Sequence, residues 1–226
     1  MANKARSPEV IDFEKRRMGK AALELIVKDG YNNLSIRKLS QKLNISPSTI
    51  YNYFKNSDEI YIYVLNAGFE ILFNELQKAY DSQPDPVDKL KALGRAFFSF
   101  SVRERNLVFI MLVLDVPKYY DYLDTDYEPF MKIELTNALK CRDIVSQAVN
   151  NIAEAYPSFS KEDIPRCTLS IISQIIGIVT IYNNKLMNYL TDDIESGVEI
   201  LLKEIFYPFE LIRNMDAKNL AIPGKQ

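Results

Sequence analysis

Three helix starts crowd between Ser35 and Ser57, and no other feature of this chain restricts its fold as tightly. Ser35 precedes Ile36, Leu39 and Leu43 and reads as the N-cap of a short helix, its hydroxyl accepting an amide proton that the first turn leaves free. Asn44 ends that helix, because asparagine tolerates the left-handed backbone conformation. Ser46 caps the next helix at once, and Pro47 takes its first position, where a missing N–H costs nothing. This helix runs only to about Phe54; Ser57 then caps a fourth, with Ile60, Val64, Leu65 and Phe69 facing inward. A longer amphipathic helix comes first, from Pro8 to Asp29, with Met18, Ala21, Ala22, Leu25 and Ile26 on one face and Gly30 as its stop.

Two short capped helices behind a longer one are the layout of a helix-turn-helix unit. Asn44 stands where the turn must be tight, Ile45 fills the angle between the helices, and Leu39, Leu43, Ile50 and Phe54 supply a small core. The outer side of the second short helix carries Pro47, Ser48, Thr49, Tyr51, Asn52 and Tyr53. Asparagine pairs bidentately with adenine, small side chains meet a thymine methyl, and hydroxyls donate to phosphates. Charge is distributed to suit: residues 1–60 hold 11 Lys/Arg against 7 Asp/Glu, and residues 61–226 hold 17 against 23. A basic front end on an acidic body fits nucleic-acid binding at one end. Lys4, Arg6, Lys15, Arg16 and Arg17 are further candidates for backbone contacts.

Residues 34–56, which read Leu-Ser-Ile-Arg-Lys-Leu-Ser-Gln-Lys-Leu-Asn-Ile-Ser-Pro-Ser-Thr-Ile-Tyr-Asn-Tyr-Phe-Lys-Asn, resemble without gaps the DNA-binding block of the tetracycline-repressor-like regulators. The likeness covers roughly residues 10–65; beyond it only length and helical character are shared. The resemblance implies a phosphate-contacting cap at Ser35, a base or phosphate contact at Arg37, base-edge readers at Ser48 and Asn52, and backbone contacts from Tyr51 and Tyr53. Ser57 stands where that family usually has a phosphate-gripping lysine, and Lys55 is the nearby residue to supply the charge.

The rest of the chain is helical in pattern, with segments at about 87–103, 105–115, 127–155, 161–190 and 192–213, and a proline-marked loop at residues 81–86. The expected architecture is all-α: a helix-turn-helix DNA-binding domain over residues 1–56 and a helical ligand-binding and dimerisation domain over 57–226, with the fourth helix as the connection. From residue 168 the apolar positions Thr168, Ile172, Ile175, Val179, Tyr182, Leu186 and Tyr189 step by four and three like a coiled-coil seam. Ile172, Ile175, Val179, Tyr182 and Leu186, with Val198, Leu201 and Ile205 from the last helix, are expected to form a homodimer interface, and Gly177 to permit close approach. A cavity for an apolar or aromatic small molecule is expected around Phe97, Phe100, Ser101, Phe109, Met111, Phe130, Met131 and Ile178. Five carboxylates and four tyrosines crowd residues 115–128, which read as a solvated loop or an attractor of organic cations.

Absences narrow the function. The chain has no histidine, and its 7 glycines form no phosphate-binding loop, so no catalytic, metal or cofactor site is expected. Cys141 and Cys167 read as reduced fillers. No uninterrupted apolar run approaches the roughly 20 residues of a membrane helix, and the N-terminus shows no signal core, so a cytoplasmic protein with no membrane partner is expected. The function expected is a repressor released from a palindromic operator in double-stranded DNA by a small molecule. The alternative is a ligand-independent DNA-binding or protein-interaction module whose large domain only dimerises.

Overall fold

The computed structural model describes residues 7–221, and among them there are helices and turns but no strand. Lys4 and Arg6, two of the expected backbone contacts, lie outside the described residues. Among the described residues nine α-helices follow in order: α1 (Pro8–Asp29), α2 (Ile36–Leu43), α3 (Pro47–Tyr51), α4 (Ser57–Asp81), α5 (Pro86–Arg103), α6 (Arg105–Val108), α7 (Glu128–Ala155), α8 (Ile164–Asn183) and α9 (Ile194–Ala221). A π-helical turn at Phe109–Val113 continues α6, and short 3₁₀ turns sit at Tyr31–Asn33, Tyr119–Tyr122, Lys161–Asp163 and Leu186–Tyr189.

The chain packs as two compact units. One comprises the chain up to Glu70 and Asn106–Asn137; the other comprises Ile71–Arg105 and the chain from Ala138 onward. The packing divisions therefore fall inside α4, α6 and α7, so that the helix-turn-helix shares a unit with the first part of α4 and with residues far later in the chain.

In the first unit, α1 packs on α2, α2 on α3, and α1 on the π-helical turn. Met18, Ala22, Ile26, Leu39, Ile50, Leu65, Ile110 and Met131 are fully buried there. Gly68 on α4 admits Leu107 and Met111, since a methyl group at that position would lie 2.8 Å from the Met111 sulfur. In the second unit α5, α8 and α9 pack on one another. Val87, Leu90, Leu93, Phe100, Ile171, Ile175, Val179, Val198, Leu202, Ile205, Phe206 and Phe209 are buried there. Gly94 lets Phe206 lie against the α5 backbone, because a Cβ there would come within 2.5 Å of the ring.

Several element ends differ from the expectation. The helix expected over 161–190 stops at Asn183, and Lys185 takes φ 61°, so Leu186 and Tyr189 leave the seam. The last helix passes through Pro208 and continues to Ala221. The segment at 105–115 divides into one α-turn and one π-turn. Lys161–Asn183 holds no uninterrupted apolar run of about 20 residues, yet by length and mean hydropathy it is apolar enough to cross a membrane; only 28% of its most apolar window is buried within the chain.

Asp85 holds the start of α5, accepting from the amides of Val87 (2.9 Å) and Asp88 (3.0 Å). It also accepts from the Tyr156 hydroxyl (2.8 Å) and pairs with Arg213 (3.2 Å). Burial pushes the Asp85 carboxyl up, but the two amides, Tyr156 and Arg213 outweigh it and hold the pKa below its usual 3.8. A lowered carboxylate pKa stabilises the fold above the unfolded value and stops doing so as pH falls through the folded one. Asp85→Ala is expected to lower stability by about 1–3 kcal/mol at pH 7, through loss of a cap and two side-chain partners. In denaturation curves the gap to wild type should close as pH falls below 3.8, where wild type protonates as well.

Candidate nucleic-acid interface

Helix α3 is five residues long and depends on its cap. Ser46 Oγ accepts from the Thr49 amide (3.2 Å) and shares hydrogen bonds with Ser48 Oγ (2.7 Å) and Thr49 Oγ1 (2.9 Å). Ser35 caps α2 through the Lys38 amide (3.3 Å). Asn44 adopts φ 52° and ψ 47°, the left-handed turn expected of it. Ile50 and Phe54 fix the buried side of the unit. That leaves Pro47, Ser48, Tyr51 and Asn52 exposed on one side, Thr49 half-buried beside them, and Arg37 and Lys55 exposed near by.

Tyr53 departs from the expectation. It is only 9% exposed, because α3 ends at Tyr51 and the turn that follows folds Tyr53 and Phe54 inward. Charge is sorted as well. Lys38 pairs with Asp29 (3.9 Å), Lys42 with Glu24 (2.7 Å), Arg16 with Asp12 (2.9 Å) and Arg17 with Glu14 (3.0 Å), while Lys15 lies over the Phe54 ring at 5.2 Å. These pairs are largely exposed and individually weak, so a phosphate can compete for their cations. Arg37 and Lys55 have no ion-pair partner among the described residues.

The cap of α4 lies one residue earlier than expected. Asn56, not Ser57, is its cap: Asn56 Oδ1 accepts from the Glu59 amide (3.0 Å), and the Glu59 carboxylate reaches back to the Lys55 amide (2.5 Å). The Asn-x-x-Glu spacing of a capping box was the signal for it. Ser57 then sits in the first turn, with its amide at the positive end of the helix.

The expected cavity residues divide between the two units. Phe97, Phe100, Ser101 and Ile178 belong to the second; Phe109, Met111, Phe130 and Met131 belong to the first. Ser101 is fully buried and its hydroxyl already donates to Phe97 O (2.7 Å). Phe130 is 48% exposed. The expected dimer residues divide too. Ile175, Val179, Val198 and Ile205 are buried inside the second unit, so they are core and not available to a partner chain. Ile172, Tyr182 and Leu201 are half-buried, and Leu186 lies beyond the end of α8. The helix faces that remain uncovered carry Leu169 on α8 and Ile200, Tyr207, Leu211 and Met215 on α9.

The description "Bacterial regulatory proteins, tetR family" matches residues 20–64. An uncharacterized HTH-type transcriptional regulator of Haemophilus influenzae is 37% identical over 76 residues, which is 34% of this chain and 41% of that protein. The fatty acid metabolism regulator protein of Bacillus subtilis is 24% identical over 90 residues, 40% of this chain and 46% of its own length. The chain thus aligns with less than half of either curated relative. Its fold is similar to that of the fatty acid degradation regulator FadR from Bacillus halodurans, with a TM-score of 0.66 at 16% identity over 90% of this chain and 97% of that one.

Ser46→Ala removes the acceptor that holds the first turn of α3. It is expected to cost about 1 kcal/mol of stability, with Ser46→Asp restoring most of it. Urea midpoints read this directly, and an Ala variant as stable as wild type would mean that the cap contributes nothing.

Proposed function

We propose that this chain is a regulator of the tetR family, whose description matches residues 20–64, and that it is a two-fold repressor that reads a palindromic operator and is released from it by an apolar small molecule. The observation that carries the DNA reading is the outer side of α3, where a capped, proline-started helix presents Ser48, Tyr51 and Asn52 with Arg37 and Lys55 beside it. Asn52 and Ser48 read base edges, Asn52 matched to adenine; Ser35, Thr49, Tyr51, Arg37 and Lys55 hold the phosphates and register.

The two-fold arrangement is supported by uncovered apolar stripes on α8 and α9 of the second unit. Leu169 is 69% exposed, with Ile172, Ile176 and Gly177 following at helical spacing. Ile200, Tyr207, Leu211 and Met215 repeat along α9 at intervals of seven, four and four. A Cβ on Gly177 would meet nothing within 4 Å in this chain, which leaves room for a partner helix. Two helices from each copy would cover four such stripes, and a two-fold protein then presents two α3 helices to two half-sites. The same covering accounts for an α8 apolar enough to span a bilayer: its free side faces a second copy, and the protein works in the cytoplasm, where the DNA is.

Release follows from differential binding. An effector that prefers one arrangement of the helices lowers the share of chains able to engage both half-sites. A coupling of about 1–3 kcal/mol weakens operator binding by about 5- to 150-fold. The apolar class of effector is supported by the two regulators above that are named for fatty acid metabolism and degradation.

Selection of duplexes from a random pool by the purified chain tests the reading; a recovered palindrome supports it, and recovery of no motif contradicts it. Asn52→Ala is expected to cost about 1–3 kcal/mol on the selected duplex and to relax preference at one base pair; equal losses on unrelated DNA would remove Asn52 as a base reader. Leu169→Glu with Leu211→Glu is expected to convert the dimer to monomer in sedimentation velocity, whereas Val179→Glu should unfold the unit instead. A double variant that sediments as wild type would place the dimer contact elsewhere.

A further inference from the structure

Residues 115–128 were expected to be a solvated loop or an attractor of organic cations; within the first unit two of their tyrosines, Tyr122 and Tyr127, are bound to the helix-turn-helix. Tyr31, in the turn after α1, donates to Asp58 Oδ1 at 2.6 Å. Its single proton is thereby used, so in the 3.0 Å contact between Tyr31 and Tyr122 it is Tyr122 that donates. Tyr61, fully buried on α4, donates to Pro117 O (2.7 Å) and packs edge-on to Tyr31 at 4.8 Å. The third tie is the most direct. Asn56 Oδ1 caps α4, and the Nδ2 of the same amide donates to Tyr127 Oη. Asn56 follows Lys55 and stands four residues after Asn52, so Tyr127 grips the turn that leaves the reading helix.

The segment is also organised from within. Thr125 Oγ1 donates to Tyr122 O (2.7 Å) and accepts from the Tyr127 amide (3.2 Å), which joins the two tyrosines through one side chain. At its other end Lys118 Nζ donates to Ile110 O (2.8 Å) beside the π-helical turn, and the Lys118 amide is held by Asp121 (2.7 Å). The segment is therefore braced at both ends and bonded at three points to the exit of α1 and the entry of α4, the two elements that flank α2 and α3.

We propose that residues 117–127 form a clasp that positions the DNA-reading helix, with Tyr122 and Tyr127 as its positioning residues and Asn56 as the point where it acts. The proposal rests on the DNA-binding reading above. An intact clasp holds α3 at one angle to the rest of the unit; an opened clasp leaves α3 on its cap and its short core alone, where it samples several angles and pays to choose one on DNA. Whatever shifts this segment thereby alters operator affinity without touching a base-reading residue.

The test uses the full-length chain with the duplex selected by wild type and a scrambled duplex of the same length. Tyr122→Phe and Tyr127→Phe keep the rings and remove the hydroxyls. Each is expected to weaken binding to the selected duplex about three- to tenfold, one net hydrogen bond's worth, with the scrambled duplex unchanged. Tyr31→Phe combined with Tyr122→Phe should be no worse than Tyr31→Phe alone, because both sit in one chain of bonds. Thr125→Val leaves both tyrosines in place and should weaken binding in the same direction, so misfolding of one variant does not decide the matter. Tyr120→Phe, at a side chain 75% exposed, should bind as wild type. In hydrogen exchange, the amides of α3 and the first turn of α4 should exchange faster in Tyr127→Phe than in wild type. Affinities that stay at the wild-type value, or that fall equally on both duplexes with a lowered melting temperature, overturn the clasp. Failure of wild type to select any duplex overturns the DNA-binding reading and the clasp with it; wild-type selection that Asn52→Ala abolishes and the tyrosine variants preserve overturns the clasp alone.

Discussion

A helix of five residues has too few internal hydrogen bonds to stand by itself, since nucleating the first turn costs more than so short a run returns. Everything around α3 is arranged to hold it. Ser46 takes up its first free amide, Pro47 pre-sets its first dihedral, and Ile50 and Phe54 anchor one side in the unit's core. With the inner side of the helix committed to the core, its outer side leaves Pro47, Ser48, Tyr51 and Asn52 exposed.

The same logic governs the entry to α4. One asparagine side chain uses its oxygen to cap the helix and its amide nitrogen to hold Tyr127. The asparagine amide carries its acceptor and its donor on two separate atoms, so one can face the Glu59 amide while the other faces Tyr127. The acidic, tyrosine-rich stretch is thus bound on one side by its aromatic hydroxyls, while Asp115, Asp121, Asp124 and Asp126 keep their carboxylates at the surface.

In the second unit the governing fact is that α8 is apolar on more sides than its own chain can cover. Ile171, Ile175, Ile178 and Val179 meet α5 and α9, and Leu169 is left facing outward. An exposed apolar stripe along two neighbouring helices is costly in water and is relieved by a partner of matching shape. Periodicity identified α8 as two-sided but assigned the seam of Ile175 and Val179 to the partner, when the chain had already used it. Sequence spacing reports that a face is apolar; which of two apolar faces turns inward depends on where α5 and α9 lie.

What the sequence by itself determined were the features set by local chemistry. Ser35, Asn44, Ser46 and Pro47 mark helix starts and stops because capping and left-handed turns involve residues within one turn of each other, and each behaves in the structure as its chemistry requires. The ends of α1, α5 and α7 follow for the same reason, and so does the exposed side of α3. The tertiary structure decided what depends on distant partners. Tyr53 turned inward because α3 ends early; Tyr122 and Tyr127 found Tyr31 and Asn56 across 91 and 71 residues of chain; Ile175 and Val179 were taken by the core. A hydrogen bond between residues that far apart leaves no periodic trace, since nothing in the intervening sequence records that the two groups will meet.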